Sequence, residues 1–457
     1  MKAKPLTVHW HQDDQPIYSA DFQPNTPVTQ GLSPRLATAG GDNNVRLWQL
    51  NMESLENATD TSVASVVYIA TLEKHTQAVN VVKFDPSGRF LASAGDDGVI
   101  CIWTLASSEP RKMFGEEELV DLESWRVLTT CRGTGAEIYD LAWSPDSKYI
   151  AAAVMDNTTR IYAAETGKCV KQLAEHGHYV QGVAWDPNNE YLATQSSDRT
   201  MIVYKVTTKN GALIVGSPQR TTKRELDDGR LALYHNETFT SFFRRLAFAP
   251  DGSLLVSPAG QLRNPQQPDS DVFYIFTRAG LGKGPAALVA GDKPSLAVAF
   301  SPVPRKLEGS SAIGLPYRLI YAVALYDSVM IYDTSRAAPL AQVRNIHYSS
   351  LTDLAWTPDG NTLFVTSTDG FCSALLFESG ELGDVYDSPL LNTKSMEPRV
   401  TPSPIKQASL DAFAKPGTPE KVQTKIPAPV FSPVTPGVKV KKRVAPTLIS
   451  STPPGGP

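Results

Sequence analysis

The sequence predicts an all-β fold: a propeller of seven four-stranded blades, closed by a strand from its own N-terminus and followed by a disordered tail. Three observations lead there. A unit of short strands recurs about seven times over residues 1–380, and its turns carry Asp, Pro and Gly at matching places. From 381 to 457 this periodicity stops, and Pro, Ser, Thr and Lys dominate. A single four-stranded sheet cannot bury both of its faces, so such units are stable only when neighbours stack and the last meets the first.

Each unit has a strand ending in an aromatic residue, a Pro-Asp-Gly-like turn, a strand of small residues, an Asp turn, and a strand ending in Trp or Tyr. The first comprises Ile17–Phe22, Leu36–Gly40, Asp42 and Val45–Trp48. The second is the cleanest: His75, Val79–Phe84, the turn Asp85-Pro86-Ser87-Gly88, Phe90–Ala94, Asp97 and Val99–Trp103. The third runs Ile138–Trp143, Ile150–Val154, Asp156 and Ile161-Tyr162, and the fourth Val180–Trp185, Tyr191–Thr194, Asp198 and Met201–Tyr204. Later copies are weaker. The fifth has Leu246–Phe248, Leu254–Val256 and Val272–Phe276; the sixth has Leu296–Phe300, Leu319–Val323 and Val329–Tyr332. The seventh supplies three strands, Leu354–Trp356, Leu363–Thr366 and Cys372–Phe377, so the alternating stretch Leu6–Trp10 is expected to be its fourth. Four strands per unit and one unit per blade is the arithmetic of WD40 repeats.

Bulk composition agrees. Hydrophobic residues make up 41% and charged residues 20%, enough for a large core, and the formal net charge of −4 gives no global attraction to nucleic acid. Cys101, Cys131, Cys169 and Cys372 are widely separated, which fits a reducing compartment and argues against a disulfide framework or a cysteine zinc site. The N-terminus opens without an apolar signal region and no apolar run is long enough for a bilayer, so a soluble intracellular protein without membrane contact is expected.

Units two and four contain His75, Ser93 and Asp97, then His176, Thr194 and Asp198, the residue types of a hydrolase triad. Their recurrence at repeat spacing favours a structural role. In WD40 proteins such residues hydrogen-bond one another and the strand-end aromatic, here Trp103 and Tyr204. The third unit has Thr134 and Ala152 where the His and hydroxyl belong, and still keeps the blade pattern. No G-x-S-x-G elbow, P-loop, H-E-x-x-H or dinucleotide fingerprint occurs, so no catalytic residue, metal or cofactor is expected.

The weaker units carry a more specific signal. Thr240–Gly260, with its Phe242-Phe243-Arg244-Arg245-Leu246 core, resembles the fifth blade of the middle subunit of chromatin assembly factor 1. Leu315–Val323, Tyr326–Asp333, Asn345–Tyr348 and Ser367–Cys372 extend the resemblance, which related Hir-type histone chaperone subunits share. It implies a nuclear, non-enzymatic scaffold in a trimeric complex with a large and a small subunit, supporting deposition of histones H3–H4 on newly replicated DNA. Hir-type relatives carry a long further C-terminal region that this sequence lacks, which favours the assembly-factor reading.

Two charged segments have two accounts each. Arg244 and Arg245 are candidates for anchoring an acidic partner segment; alternatively, strand alternation turns one outward and pairs the other within the propeller, and we favour this structural account. Glu116-Glu117-Glu118 with Asp121 and Glu123 either meets a basic surface or forms a solvated loop, the account favoured here.

The tail holds the short motifs. Between Asn392 and Pro457 it has ten basic and three acidic side chains, compatible with weak, salt-sensitive contact with DNA and without sequence-specific recognition. Within residues 439–451, Lys441-Lys442-Arg443-Val444-Ala445-Pro446-Thr447-Leu448 resembles the B-domain-like peptide by which both relatives bind the anti-silencing-function H3–H4 chaperone. The resemblance implies an extended segment added to a sheet edge, Arg443 meeting an acidic site and Val444 and Leu448 filling apolar pockets. The family usually has Ile at Val444, so one methylene of burial, about 0.8 kcal/mol, is lost. A nuclear-import address is the competing reading of the Lys-Lys-Arg run. Gln407, Leu410 and Phe413 resemble a sliding-clamp box without its second aromatic, because Ala414 stands there; chance occurrence is the competing account. Thr401-Pro402, Ser403-Pro404, Thr418-Pro419, Ser432-Pro433 and Thr435-Pro436 offer proline-directed phosphorylation sites.

A Hir-type, replication-independent chaperone subunit remains the alternative. So does a ubiquitin-ligase substrate receptor, although Trp48-Gln49-Leu50-Asn51 and Trp103-Thr104-Leu105-Ala106 lack the W-D-x-R such receptors carry.

Overall fold

The computed structural model describes residues 1–386, except 7, 28, 30–34, 52–65, 108–120, 210, 222, 227–228, 265–266, 310, 312 and 379. Seven four-stranded antiparallel sheets follow one another along the chain, as the repeats predict. The innermost strands of blades 1 to 7 are Ile17–Phe22, Val79–Phe84, Ile138–Trp143, Val180–Trp185, Ala247–Phe248, Ser295–Phe300 and Leu351–Trp356. Extra length falls between strands, partly as small hairpins such as Arg305–Lys306 with Tyr317–Arg318.

The core is a set of layers between blades. Val82, Leu91 and Trp103 of blade 2 pack on Ala37, Val45 and Leu47 of blade 1. The same arrangement recurs at each junction, ending with Ala355, Phe364 and Ala374 of blade 7 against Ile17, Leu36 and Trp48 of blade 1. Each blade thus buries one face on each neighbour, which is why the ring has to close.

Closure differs in register from the sequence expectation. The fourth strand of blade 7 is Lys2–Leu6, antiparallel to Cys372–Leu376, with Lys2 opposite Leu376 and Leu6 opposite Cys372. Pro5 is tolerated because this is an outermost strand with no further neighbour to receive its missing N–H. Trp10 instead turns inward: it is fully buried, edge-on to Trp48 at 4.9 Å, and its indole N–H donates to the Leu6 carbonyl at 3.4 Å.

Beyond the last blade strand the chain remains attached as far as Tyr386. Lys306 and Tyr386 donate backbone N–H groups to the carbonyls of Asp384 and Pro304, and the Arg318 guanidinium donates to the Leu382 carbonyl. The Tyr386 ring lies 5.2 Å from that of Tyr317.

Candidate functional site

The repeated His, hydroxyl and Asp sets are built alike. In blade 2, His75 Nδ1 lies 3.0 Å from Asp97 Oδ2 and its Nε2 lies 2.7 Å from Ser93 Oγ, which also accepts the Trp103 indole N–H at 2.9 Å. A neutral imidazole satisfies every group: Nδ1–H faces the carboxylate, and Nε2 accepts the serine proton. In blade 4, His176 reaches Asp198 at 3.0 Å and Thr194 at 2.8 Å. Tyr204 departs from the expected set, because its hydroxyl donates to Glu175 Oε2 at 2.9 Å. Burial works to raise the Asp198 carboxyl, but hydrogen bonds from His176, Thr200 and the Gly177 N–H hold it at about 2.

Blade 1 has a set that repeat spacing did not reveal. His11 Nδ1 pairs with Asp42 at 2.6 Å and its Nε2 with Thr38 Oγ1 at 3.0 Å, while Trp48 donates to the same hydroxyl at 3.0 Å. In blade 3, Asp156 instead accepts from Thr134 and from the Arg160 guanidinium, which stands in for the missing histidine. Blade 7 keeps His347 and Asp369 at 3.1 Å but has Val365 at the hydroxyl position, so His347 Nε2 is buried without a hydrogen-bond partner.

Arg244 and Arg245 are both buried, so neither turns outward as strand alternation implied. Arg244 donates to the carbonyls of His235 and Asn236, each at 2.6 Å, beneath the Phe239 ring; burial lowers its pKa to about 9. Its backbone passes so close to Gly182 that a Cβ there would lie 1.9 Å from the Arg244 carbonyl oxygen. Arg245 crosses the propeller axis. Its Nη atoms donate to the carbonyls of Tyr18, Thr352 and Asn80 at 2.8, 2.8 and 2.7 Å, joining blade 5 to blades 1, 7 and 2, and Phe243 covers its guanidinium at 4.2 Å.

Aligning the innermost strands on their terminal aromatics shows what else faces the axis. The residue before the aromatic is Asp21, Lys83, Ala142, Ala184, Ala247, Ala299 and Ala355 in blades 1 to 7. Two positions earlier stand Ser19, Val81, Asp140, Gly182, Arg245, Ala297 and Asp353. Asp21, Lys83, Asp140, Arg245 and Asp353 thereby converge on a cavity of about 560 Å³. The carboxylates also stitch blades together: Asp21 accepts the Phe84 N–H at 2.7 Å, Asp140 the Val183 N–H at 3.0 Å, and Asp353 the Ser19 hydroxyl at 2.7 Å. Burial pushes Asp21 and Asp140 up to about 6 against the pull of Lys83 and Arg245. Asp353 is buried too, but Arg245 and Lys83 hold it below the ordinary carboxylate range.

Asp121 and Glu123 are not a solvated loop. Asp121 accepts the Tyr68 hydroxyl at 2.7 Å, and buried Glu123 forms an ion pair with Arg35. Glu116–Glu118 lie outside the described residues, as do the tail motifs at Gln407, Leu410 and Phe413 and at Lys441, Lys442, Arg443, Val444, Pro446, Thr447 and Leu448.

Seven stacked blades with repeated hydrogen-bond sets define a WD-repeat β-propeller, a rigid platform of loops around an axial channel. The family model described as the CAF1B/HIR1 beta-propeller domain matches residues 1–382, and the chain belongs to that family. A chromatin assembly factor 1 subunit of Schizosaccharomyces pombe is 39% identical over 98% of this chain and 100% of the relative. Its Saccharomyces cerevisiae namesake is 39% identical over 87% of this chain and 90% of its own length. Protein hir-1 of Neurospora crassa is 31% identical over 82% of this chain but only 36% of its own length.

Proposed function

We propose that this chain is the propeller subunit of a chromatin assembly factor 1 complex: a nuclear, non-catalytic scaffold supporting replication-coupled deposition of histones H3–H4. The observation that carries this reading is collinearity, since the chain and its S. pombe relative match over 98% and 100% of their lengths, tail included. In this reading the propeller binds the large subunit and shares the complex with the small one. The tail segment 439–451 recruits the anti-silencing-function H3–H4 chaperone, with Arg443, Val444 and Leu448 as its contacts. The His, hydroxyl and Asp sets support the non-catalytic part: they recur in several blades and are spent on one another.

Co-expression of the full chain with the large subunit tests the scaffold role; the reading expects one co-eluting complex in gel filtration, and separate elution would oppose it. The recruitment role is tested separately, by titrating a peptide spanning Lys439 to Ser451 against the purified chaperone. Micromolar or tighter binding, lost in Arg443→Ala and Val444→Ala versions, is expected. No binding by the native peptide would reduce the Lys-Lys-Arg run to an import address and leave the scaffold role standing.

A further inference from the structure

The axial cavity has three features that a merely structural channel does not need. Five of the seven blades place alanine just before the terminal aromatic, so space is left open where larger side chains would fill it. The charges do not balance: Asp21, Asp140 and Asp353 face Lys83 and Arg245, three carboxylates against two cations, an excess of one negative charge. Hydrogen-bonding capacity is also unspent. Arg245 Nε is buried without a hydrogen-bond partner, with an Asp140 carboxylate oxygen 3.8 Å away, a donor that water in the cavity can satisfy. The Lys83 ammonium comes no closer than 3.7 Å to Asp353. Such a cavity holds water and polar groups rather than standing empty.

The excess charge narrows the class of occupant. Arg245 is tied to the carbonyls of three blades and to Asp353 at 3.3 Å, and Lys83 is shared between Asp353, at 3.7 Å, and the more distant Asp21, so the two cations leave the three carboxylates one charge short of neutrality. No group of three or more His, Cys, Asp or Glu side chains among the described residues is placed to hold a metal ion. A compact ion coordinated by the carboxylates is therefore a poor fit. A cation on a long stem fits better, its charge near Asp21 and its methylenes along Ala247, Ala299 and Phe300. The cavity also reaches Pro24, Pro302 and Pro358, in the turns that follow the innermost strands, so entry is from that face. Field lines focused by low-dielectric walls strengthen the attraction for a cation.

We infer that the axial cavity receives one basic side chain, lysine or arginine, presented by an extended segment of a partner protein. The inference stands on the channel alone and does not depend on which complex the chain joins.

The test is calorimetric titration of the full chain near neutral pH with three blocked tripeptides, acetyl-Gly-Arg-Gly-amide, acetyl-Gly-Lys-Gly-amide and acetyl-Gly-Gln-Gly-amide. Asp21→Asn removes the excess negative charge while keeping an acceptor for the Phe84 N–H, and Ala299→Leu fills space without touching any charge. At least one basic tripeptide is expected to bind saturably, roughly tenfold or more tighter than the glutamine one, with a similar loss in each variant that keeps the native melting transition. Absence of saturable binding by both basic tripeptides would overturn the inference, as would equal binding of the glutamine tripeptide. Undiminished affinity in a folded variant would also overturn it, and should one variant fail to fold, the other decides.

Discussion

Blade 7 contains a buried defect that one substitution should repair. His347 Nδ1 faces Asp369, but Nε2 has no partner because Val365 occupies the place held by Thr38, Ser93 and Thr194 in blades 1, 2 and 4. Val365→Thr keeps the β-branched shape and supplies a hydroxyl proton to the imidazole. A net hydrogen bond contributes about 1 kcal/mol, whereas a buried hydroxyl left unpaired costs about 1–3 kcal/mol, so the sign reports whether the bond forms. The reverse experiment is Ser93→Ala in blade 2. It strands His75 Nε2 and the Trp103 indole N–H together, for a loss of about 2–6 kcal/mol at about 1–3 kcal/mol per buried orphan. Urea denaturation followed by tryptophan fluorescence measures both. Val365→Thr is expected to match or exceed the wild type by up to about 1 kcal/mol. A Val365→Thr variant less stable by more than about 1 kcal/mol, or a Ser93→Ala variant within about 0.5 kcal/mol of wild type, would refute the reasoning.

Other perturbations have equally definite outcomes. Arg245→Met leaves three carbonyls and the Asp140–Asp353 pair without their cation and is expected to cost about 3–5 kcal/mol; Arg245→Lys should rescue little, because one ammonium cannot span carbonyls on three blades. Gly182→Ala drives a Cβ into the Arg244 carbonyl and is expected to prevent accumulation of folded protein, read as soluble yield and melting temperature. The pH dependence of stability has two opposing parts. Asp42 and Asp198, held at about 2 when folded, stabilise above the ordinary carboxylate pKa of about 3.9, and this contribution is lost as pH falls towards 2. Asp21 and Asp140, raised to about 6, bind protons more tightly when folded, so stability falls as pH rises from about 4 to 6. Asp140→Asn should flatten that second limb, measured as denaturation midpoint against pH. Deleting Lys2–Leu6 leaves blade 7 with three strands and is expected to lower the melting temperature; an unchanged melt would contradict the closure register.

The blades were legible because the clearest of them repeat two strong local signals, an Asp turn and a strand-end aromatic. Where those signals compete, the sequence misleads. Leu6–Trp10 alternates better than Lys2–Leu6, which contains Pro5, yet the strand forms where it can pair with Cys372–Leu376. His11 escaped notice because 27 residues separate it from Thr38, against 18 between His75 and Ser93; the longer turn of blade 1 hides the spacing. The axial charges were harder still. Ser19 meets Asp353 across 334 residues, a contact that exists only once the ring closes. Even so, a column of innermost-strand residues aligned on the aromatic would have exposed five alanines beside Asp21 and Lys83. Arg244 and Arg245 show the limit of alternation arguments: they precede the two-residue strand Ala247–Phe248, and both face the interior, the Arg244 N–H donating to the Gln181 carbonyl of blade 4 and the Arg245 guanidinium reaching the axis.

The scaffold account is tested most directly by reconstituted nucleosome assembly on replicating plasmid DNA with the large subunit, the small subunit, histones H3–H4 and this chain. The account expects assembly to fall sharply when this chain is omitted, to return with the full chain, and to return less completely with an Arg443→Ala, Val444→Ala version. Equal assembly with and without the chain would contradict it.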